Sequence, residues 1–526
     1  MKKKITSLVL VLGMLLSLLS GCTKKDEAKL NIIDDNYRNY YEIFVYSYYD
    51  SNSDGIGDLN GVTQKLDYIS EMGFNGIWLM PIMTSTTYHK YDVVDYMTVD
   101  PDYGTNEDFK ALVDAAHEKG INVIIDFVMN HTSSKHVWFT TACEYLASLE
   151  EGEEPSVEEC PYVEYYNFTK EKKGGTFYSV PGSEWCYEGE FWSEMPDLNL
   201  QSEKVRAEFE EIGKYWINEM GVDGFRMDAV VHFEEDDVVK NNEILDWYYQ
   251  YCLGLKDDFY MVSEAWVDKS TIAKYYGSQT PSFFNFDASQ AEGIIMETAR
   301  GVKGADDFVN AMVDYDKTYG ANNPNYIDAP FLTNHDNVRS ANSLGGTLVN
   351  MKMAAGLLLT MNGSPFVYYG EEIGLTSQGT KDENKRVPMY WNANDWEGEC
   401  TGFEGMDSNI KKLFPSVVEQ QEDENSLLNY YKNALLLRNQ NPEIARGEIT
   451  VISELTNDDY AVITKEYEGS VIAIIYNTSE ETKEIDLTGT VLEGMKLQGE
   501  LLTGEEAVST EKNAVTMPAK SICILK

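Results

Sequence analysis

The sequence predicts an α/β fold, namely a TIM (β/α)8 barrel with an inserted subdomain after strand 3 and a C-terminal antiparallel β-sandwich. Four apolar runs end in carboxylate or histidine side chains, and helix-length segments separate them. Short alternating runs replace this rhythm after about residue 442. Near-continuous apolar strands are typical of a parallel sheet buried on both faces. Functional residues at the carboxyl ends of such strands are typical of TIM barrels.

Eight apolar runs supply the barrel strands. We expect them at 42–46, 76–81, 121–128, from 224 onward, and at 260–264, 282–286, 330–335 and 365–370. Helical spacing and end signals predict the helices between them. The stretch 59–72 is a predicted helix that ends at Gly73, and Asn106 is the predicted N-cap of the next helix, which ends at Gly120. Further helices are predicted around 205–216, 351–361 and 427–438.

Two regions break the strand-and-helix rhythm. Residues 131–200 are acidic, Gly-rich and aromatic, with no long periodic segment, which predicts a small subdomain. Alternating runs at 460–464 and 471–476 predict the β-sandwich. The expected boundaries are a signal peptide at 1–21, a tether at 22–38, the barrel at 39–130 and 201–441, the inserted domain at 131–200 and the sandwich at 442–526.

The first 22 residues have the features of a targeting segment. Three lysines at 2–4 precede an apolar run at 5–19, which is short for a membrane span. The following Leu-Ser-Gly-Cys, ending at Cys22, resembles a bacterial lipoprotein signal. The resemblance implies cleavage before Cys22, a lipid on its thiol, and an extracellular protein held to the cell membrane by that lipid alone. An uncleaved N-terminal anchor is the alternative.

The charge of the chain limits its partners. The formal net charge is -46, and removal of the three signal lysines leaves 39 basic against 88 acidic residues, a net of -49. This balance argues against nucleic acid and anionic lipid as partners, whereas binding of an uncharged ligand does not depend on it. The 35 Tyr and 9 Trp residues are of the kind that ligand-binding clefts use, but we expect most of them to be core or surface residues. We expect a monomer.

The cysteine spacing gives little information. Six cysteines remain after lipidation, and none of the spacings resembles a zinc site. Cys143, Cys160 and Cys186 fall in the inserted segment, so a disulfide can form there, but the sequence does not define its pairing.

The run from Gly224 ends in an arginine and a carboxylate two residues apart, Arg226 and Asp228. Residues two apart on a strand share a face, so Arg226 can orient an Asp that acts as a nucleophile. A buried structural ion pair is the alternative. Two other runs also deliver carboxyl groups, Glu264 beside a tryptophan and Asp336 after a histidine. Apolar surroundings raise the pKa of a carboxyl group, as a general acid requires.

Together with the run that ends in Asp126 and continues to His131, these stretches resemble the four short sequence regions of the alpha-amylase family of glycoside hydrolases (family 13). The resemblance extends from about residue 40 to the C-terminus. It implies that Asp228 is the nucleophile and Glu264 the acid/base, while Asp336 binds sugar hydroxyls and helps to distort the ring. It also implies a supporting role for Asp126.

The resemblance further implies seven substrate-binding residues. One is a tyrosine that stacks on the sugar, one is the arginine that orients the nucleophile, and the others bind sugar hydroxyls or flank the donor side. They are His89, Tyr91, Asp92, His131, Arg226, His335 and Arg386. A surface arginine is the alternative for Arg386.

The loop 50–58 is a candidate calcium site. Oxygen ligands at alternate positions, with glycine for a tight turn, suit Ca²⁺, although the closing glutamate of an EF-hand is missing. A plain polar turn is the alternative. The predicted ligands are Asp50, Asn52, Asp54, Asp58 and the Ile56 carbonyl. The resemblance implies a possible second site at Asn130, Asp197 and the His232 carbonyl, which some relatives lack.

Three positions bear on substrate preference through the resemblance. The stretch 195–199, Met-Pro-Asp-Leu-Asn, is similar to that of extracellular alpha-amylases intermediate between oligo-1,6-glucosidases and neopullulanases. Ala229 resembles enzymes that cleave alpha-1,4 bonds, where alpha-1,6 enzymes often carry Val. Val231 departs from the Lys of many amylases, which puts acceptor-side affinity in doubt.

The expected function is therefore retaining, internal hydrolysis of alpha-1,4 bonds in starch and maltooligosaccharides. The alternatives are an alpha-glucosidase, a neopullulanase or a glucanotransferase of the same family. A non-catalytic glucan-binding lipoprotein is a further alternative, but such a protein should have lost a carboxylate, and Asp228, Glu264 and Asp336 are all present.

Overall fold

The computed structural model describes residues 29–172, 174, 176–234 and 237–526. The predicted signal peptide, Cys22 and the first part of the predicted tether lie outside the described residues. Within the described ranges, no helix is long and apolar enough to cross a membrane.

A curled parallel sheet forms the centre of the molecule. Its first strand pairs with both the second and the last strand, so the sheet closes on itself. Ala329 and Phe331 complete the circle through parallel bridges to Phe284 and Phe366, at the position where the sequence predicted a seventh strand. The predicted barrel is confirmed. The strands are Tyr40–Ile43, Gly76–Leu79, Asn122–Phe127, Gly224–Met227, Tyr260–Ser263, Ser282–Phe283 and Phe366–Tyr368.

The first barrel strand is Tyr40–Ile43, whereas the sequence predicted 42–46. Its pairing with both neighbours starts at Tyr40, whose ring stacks on two other barrel rings at 4.7 and 5.3 Å. Beyond the strand the backbone bonds locally in a 3-10 helix, Val45–Ser47. The shift leaves Glu42 as the third strand residue, where it is 1% exposed.

Helices surround the barrel. The predicted helix 59–72 is two helices that meet at Lys65. The α-helices outside the inserted segment are Leu59–Gln64, Leu66–Met72, Asn106–Glu118, Glu203–Lys214, Val238–Leu255, Lys269–Tyr275, Ile294–Ala299, Ala305–Gly320, Ser340–Ser343, Leu348–Thr360, Val417–Glu422, Leu427–Gln440 and Glu443–Arg446. A π-helix lies at Tyr215–Met220, and short 3-10 helices lie at Val45–Ser47, Pro161–Glu164, Val230–His232, Tyr276–Ser278, Glu371–Ile373, Glu383–Lys385 and Ser453–Leu455.

The N-cap of the helix Asn106–Glu118 is Thr105, not Asn106 as predicted. The Thr105 hydroxyl accepts a hydrogen bond from Asp108 N, and the Asp108 carboxylate accepts one from Thr105 N. This reciprocal capping box satisfies two backbone donors at once. Asn106 is the first helical residue, and its side-chain oxygen accepts from Val99 N.

The segment after the third barrel strand contains the helix Val137–Ser148, although the sequence showed no long periodic segment there. Local capping explains the helix, because the His136 ring accepts a hydrogen bond from Trp138 N. Three short antiparallel strands follow at Phe168–Thr169, Phe177–Ser179 and Cys186–Glu188, and an earlier hairpin pairs Met83–Ser85 with Val93–Val99. The three cysteines of this segment are free thiols, so the disulfide that the sequence left open is not formed.

Two antiparallel sheets form the C-terminal sandwich, as predicted. The larger contains Glu448–Val451, Tyr460–Tyr467, Ser470–Asn477, Ser521–Leu525 and Leu497–Leu502, and the smaller contains Lys483–Asp486, Ala514–Met517 and Ser509–Glu511. Cys523 and Leu525 pack between the sheets, whereas Ile522 and Ile524 belong to the core of the barrel. One face of the larger sheet therefore packs on the barrel.

Candidate active site

A cavity of about 410 Å³ opens at the carboxyl ends of the barrel strands. The three predicted catalytic carboxylates all line it, although they come from different parts of the chain. Its lining residues are His89, Tyr91, His131, Phe191, Trp192, Met195, Asp228, Ala229, Val231, His232, Glu264, Trp266, Asp336, Asp382 and Arg386.

Arg226 connects three carboxylates behind this cavity. Its Nη1 lies 2.5 Å from Asp228 Oδ1 and 3.0 Å from Asp126 Oδ1, and its Nη2 lies 3.0 Å from Glu264 Oε1. The arginine is fully buried, so its charge requires these partners. Arg226 and Asp228 do form a buried ion pair, which was the alternative interpretation, but Asp228 and Glu264 also line the cavity.

Asp126 lies deepest in this group. Burial raises the pKa of Asp126 to about 7, and the nearby Arg226 opposes that rise. Its second oxygen accepts a hydrogen bond from Tyr91 OH at 2.9 Å. The structure therefore places Asp126 behind the cavity-lining carboxylates, and its supporting role stays a prediction.

Glu264 has the environment of a general acid. Burial raises the pKa of Glu264, Arg226 lowers it, and the nearby Asp228 raises it further. The Ala229 amide donates to Glu264 Oε2 at 3.1 Å. Ala229 has φ 48°, a left-handed conformation that is uncommon for residues other than glycine. The backbone amide that directly follows Asp228 is therefore bonded to the side chain of Glu264.

Asp336 is held as an anion. Burial favours its neutral form, but the charges of His335 and Arg386 hold the pKa of Asp336 well below its usual range. Arg386 Nη2 lies 2.8 Å from one carboxylate oxygen, and His335 Nε2 lies 3.1 Å from the other. The side chain is still 31% exposed toward the cavity, so it can accept hydrogen bonds from a ligand.

Four of the seven predicted substrate-binding residues line the cavity: His89, Tyr91, His131 and Arg386. The other three, Asp92, Arg226 and His335, lie behind the cavity wall and are each at most 1% exposed. Direct contact of these three with a sugar stays a prediction.

Asp92 has many protein partners. It accepts hydrogen bonds from the hydroxyl groups of Ser85, Thr86, Thr87 and Ser133. Burial raises the pKa of Asp92, but the hydrogen bonds from Ser85, Thr86 and Thr87 outweigh it and hold the pKa below its ordinary value. In the structure, Asp92 fixes the loop that carries the two cavity-lining residues at 89 and 91.

Sequence analysis missed three lining residues, Phe191, Trp192 and Asp382. Phe191 and Trp192 are 47% and 49% exposed, and the Phe191 ring contacts the His131 and His232 rings at 5.3 and 5.1 Å. Two adjacent aromatics just before the stretch 195–199 were the available signal. Asp382 lies four residues before the predicted Arg386, but no local signal marks it.

In the loop 50–58 the predicted oxygen ligands bond to the backbone of the loop itself. Asp50 accepts from Ser53 N and Gly55 N at 2.6 Å each, and Asp54 accepts from Ile56 N at 2.8 Å. Asn52 accepts in the same way from the amide of residue 54. The turn needs glycine at Gly55, where φ is 93° and a Cβ would meet Thr401 Oγ1 at 2.7 Å.

The donor set of this loop fits calcium in chemistry, because it contains only hard oxygen atoms. Asp58, however, caps the helix Leu59–Gln64 through Gly61 N and also accepts from Ser51 N. In the described part of the chain, no group of three or more His, Cys, Asp and Glu side chains converges as a metal site.

The possible second calcium site has its residues together. Asn130 Nδ2 donates directly to Asp197 Oδ1 at 3.1 Å, and the Asp197 backbone bridges to His131. Burial raises the pKa of Asp197 to about 8, and Glu188 and Glu190 lie nearby. His232 and Asp197 border a neighbouring pocket of about 230 Å³.

Comparison with known proteins supports the resemblance. The family model for the alpha-amylase catalytic domain matches residues 42–447. Alpha-amylase 3 of Dictyoglomus thermophilum is 37% identical over 498 residues, which cover 93% of each chain. The solved structure of Eubacterium rectale Amy13B is 43% identical with a TM-score of 0.91 and covers 95% of this chain and 97% of its own.

A second solved structure, the alpha-amylase from H. orenii, is 35% identical with a TM-score of 0.80 and covers 93% of this chain and 99% of its own. The matched region contains the barrel, the three cavity carboxylates and Arg226. The chain therefore belongs to the alpha-amylase family of glycoside hydrolases, enzymes that hydrolyse alpha-glucosidic bonds.

Proposed function

We propose that this enzyme hydrolyses internal alpha-1,4 bonds of starch and maltooligosaccharides with retention of anomeric configuration. The observation that carries the proposal is the guanidinium of Arg226, which contacts Asp228 and Glu264 at the same time. One guanidinium can span carboxyl groups about 5–5.5 Å apart, the separation in retaining enzymes, more readily than the roughly 6.5–9.5 Å of inverting enzymes.

In the first step, Asp228 attacks the anomeric carbon while Glu264 gives its proton to the departing glycosidic oxygen. The bond to the leaving sugar breaks, and a covalent bond between Asp228 and the sugar forms. In the second step, the ionised Glu264 takes a proton from water, whose oxygen displaces Asp228. The raised pKa of Glu264 supports its first role as an acid.

Asp336 and Arg386 act on the bound sugar. The anionic Asp336 can accept hydrogen bonds from two sugar hydroxyls, and Arg386 fixes its orientation. Hydrogen bonds to a charged group are stronger than neutral ones, so they can hold a distorted ring. Tyr91 supplies a ring at the cavity wall for stacking on the same sugar.

Internal cleavage needs space for sugars on both sides of the cleaved bond. Phe191, Trp192 and Trp266 are each about half exposed and line the same cavity as the carboxylates, so they offer rings to further sugar units. The relatives named alpha-amylase support this assignment, although others that match are named oligo-1,6-glucosidase.

The product profile tests the proposal. On starch we expect a rapid fall in viscosity and release of mainly maltose and maltotriose with some glucose, and little cleavage of isomaltose or of the alpha-1,6 bond of panose. Release of glucose alone, with viscosity unchanged, contradicts internal cleavage. Preferential attack on isomaltose contradicts the linkage. An Asp228→Asn preparation controls for contaminating amylase.

Glucan transfer is a second candidate activity, and Val231 is the observation that favours it. This apolar side chain lines the cavity and offers no hydrogen bond to a sugar hydroxyl or to water. A matched relative is named 4-alpha-glucanotransferase. Formation of products longer than a supplied maltotriose, measured over a range of maltotriose concentrations, separates transfer from hydrolysis.

We propose that the loop 50–58 binds one Ca²⁺ through Asp50, Asn52, Asp54 and the Ile56 carbonyl, with Asp58 alongside. A cation bound only by the folded state stabilises it by mass action, by about 2.7 kcal/mol at a hundredfold excess over Kd. We expect a chelator to lower the Tm and added Ca²⁺ to restore it, and Asp54→Ala to remove this response. An unchanged Tm together with a metal-free analysis contradicts the site.

We also propose an extracellular enzyme that is anchored through a lipid on Cys22 and acts as a monomer. The signal-like segment 1–22 supports the anchor. Cys22→Ser should move the enzyme from the membrane fraction to the medium and abolish labelling with a radioactive fatty acid. If wild-type enzyme takes up no label, the lipid assignment is wrong.

A further inference from the structure

His335 is enclosed by hydrogen-bond partners on both sides of its ring. Nδ1 lies 2.7 Å from Glu42 Oε1, and the His335 backbone N–H donates to the same oxygen at 3.3 Å. Nε2 lies 3.1 Å from Asp336 Oδ2 and 2.7 Å from Tyr91 OH. His335 and Glu42 are each 1% exposed, so solvent does not replace these partners.

A neutral imidazole carries one N–H, whereas an imidazolium carries two. The ring faces a carboxylate at each nitrogen, Glu42 at Nδ1 and Asp336 at Nε2, and a carboxylate that is ionised can only accept. A neutral ring would therefore leave one nitrogen lone pair facing a carboxylate oxygen. In a neutral ring protonated at Nδ1, Nε2 could accept only from Tyr91 O–H, 2.7 Å away, while it still faces Asp336. A proton on both nitrogens gives each carboxylate a donor, so the geometry favours the doubly protonated ring.

We propose that Glu42 is a positioning residue that holds His335 as an imidazolium and thereby fixes Asp336 and Tyr91 in the active site. Glu42 touches neither substrate nor a reacting atom; it acts through His335. The role in catalysis rests on the proposed function, whereas the protonation of His335 does not.

The charged groups around His335 favour its cationic form. Negative groups face it from the first, third and fifth barrel strands and from its own loop, and two arginines oppose them. The negative groups are Glu42, Asp126, Glu264 and Asp336, the arginines are Arg226 and Arg386, and the Tyr91 hydroxyl also faces the ring. Burial lowers the pKa of His335, but Asp336 and Glu42 outweigh it and raise the pKa to about 9. Burial raises the pKa of Glu42, and the bond from His335 limits that rise.

The imidazolium also sets the direction of the next hydrogen bonds. When Nε2–H faces Tyr91, the Tyr91 oxygen accepts and its O–H is free to donate to Asp126 Oδ2, 2.9 Å away. When the ring loses its Nε2 proton, Nε2 becomes an acceptor and Tyr91 O–H can donate to it instead of to Asp126. The loss also removes a positive charge beside Asp336. Because the pKa of His335 is raised, its charge is present below its folded pKa and is lost as the pH rises through about 9.

The test is Glu42→Gln in the full-length enzyme, with two readouts. The amide oxygen still accepts from Nδ1–H, but the negative charge is gone, so we expect the His335 pKa to fall by about one unit or more. Nitrogen NMR of the imidazole rings reports this directly, because the chain has six histidines and a His335→Asn spectrum identifies the signal. The second readout is kcat/KM on alpha-maltosyl fluoride, because this leaving group does not need the proton of Glu264. Its alkaline limb should move to lower pH by the same amount.

Glu372→Gln is the matched control. Glu372 is fully buried like Glu42, and it accepts from the Tyr41 and Tyr68 hydroxyls rather than from His335. We expect it to leave the His335 titration and the alkaline limb in place. Glu42→Asp keeps the negative charge, so we expect the His335 pKa in this variant to lie close to the wild-type value.

A His335 ring that is neutral in the wild-type enzyme at pH 7, or an unmoved titration in folded Glu42→Gln, overturns the proposal. If Glu42→Gln does not fold, the wild-type titration decides, because the proposal requires the doubly protonated ring at pH 7–8. If the enzyme shows no activity on any alpha-glucan while His335 titrates as expected, the proposed function fails and the protonation stands. If the His335 pKa falls in Glu42→Gln but the alkaline limb of kcat/KM does not move, only the catalytic role is contradicted.

Discussion

At the residue scale, Arg226 joins the two carboxyl groups that we propose as the reacting pair. It contacts both, but Glu264 is also raised in pKa by burial, while Asp228 receives the shorter bond of 2.5 Å. A carboxyl group that is easier to protonate can act as the acid beside an aspartate that acts as the nucleophile. The raised pKa of Glu264 therefore supports the proposed role of this residue as the acid.

Asp228→Asn should remove catalysis and leave the fold intact. The amide keeps the size of the carboxylate but cannot form the covalent bond to the sugar, so we expect kcat to fall by at least about a thousandfold. Reducing-sugar release from starch measures the loss, and circular dichroism checks the fold. Asp67→Asn, an exposed carboxylate at 78% side-chain exposure, is the control and should keep full activity. Appreciable hydrolysis by pure Asp228→Asn protein contradicts the nucleophile assignment.

Glu264→Gln should lose activity in a manner that depends on the leaving group. Departure of a sugar needs the proton that Glu264 supplies, whereas fluoride or a nitrophenolate leaves without it. We expect a drop of about a hundredfold or more on maltooligosaccharides and a much smaller drop on alpha-maltosyl fluoride. Comparison of kcat/KM on both substrates measures this. Equal losses on the two substrates are incompatible with a role as acid.

At the element scale, helix ends show where local sequence was informative and where it was not. Sequence located the helix that starts near residue 106, but both Thr105 and Asn106 can cap, and only the structure shows the bond between Thr105 and Asp108. In the same way the first strand starts two residues earlier than predicted, because pairing with both neighbours sets its limits. The predicted site omitted Glu42 because its partner His335 lies 293 residues further along the chain, and no local pattern reveals that contact.

Thr105→Ala should destabilise the enzyme by about 1 kcal/mol, since the helix loses a side-chain acceptor at its first turn. Urea unfolding followed by tryptophan fluorescence measures the change. Thr105→Ser keeps the hydroxyl and should lie within a few tenths of a kcal/mol of the wild type. A neutral Thr105→Ala variant would mean that the capping box contributes nothing.

At the scale of the whole molecule, the barrel and the sandwich share a core. Ile522 and Ile524 pack with the barrel, the Phe308 and Tyr476 rings meet at 5.4 Å, and Lys465 Nζ donates to the Thr360 carbonyl at 2.8 Å. The sequence predicted the sandwich from alternating residues. It did not reveal the contact, because alternation shows that a strand has two faces but not what each face covers.

Ile524→Ala should therefore lower the stability of the whole chain. We expect a loss of about 2–5 kcal/mol, as for other buried Ile-to-Ala changes, within one cooperative transition. Calorimetry and tryptophan fluorescence should give the same midpoint. Val491→Ala, at a side chain that is 78% exposed, should be neutral. Two separate transitions would show that the sandwich unfolds independently of the barrel.

Ala229 has a backbone conformation that limits which side chains can follow Asp228. Its φ of 48° suits alanine better than valine, because a branched side chain is strained in this left-handed region. The same residue donates its amide to Glu264. A lineage that exchanges Ala229 for the Val of many alpha-1,6 enzymes would displace the acid/base unless the turn at 228–232 changes with it. New linkage preferences should therefore arise through paired substitutions in this turn, with the single mutant as an impaired intermediate.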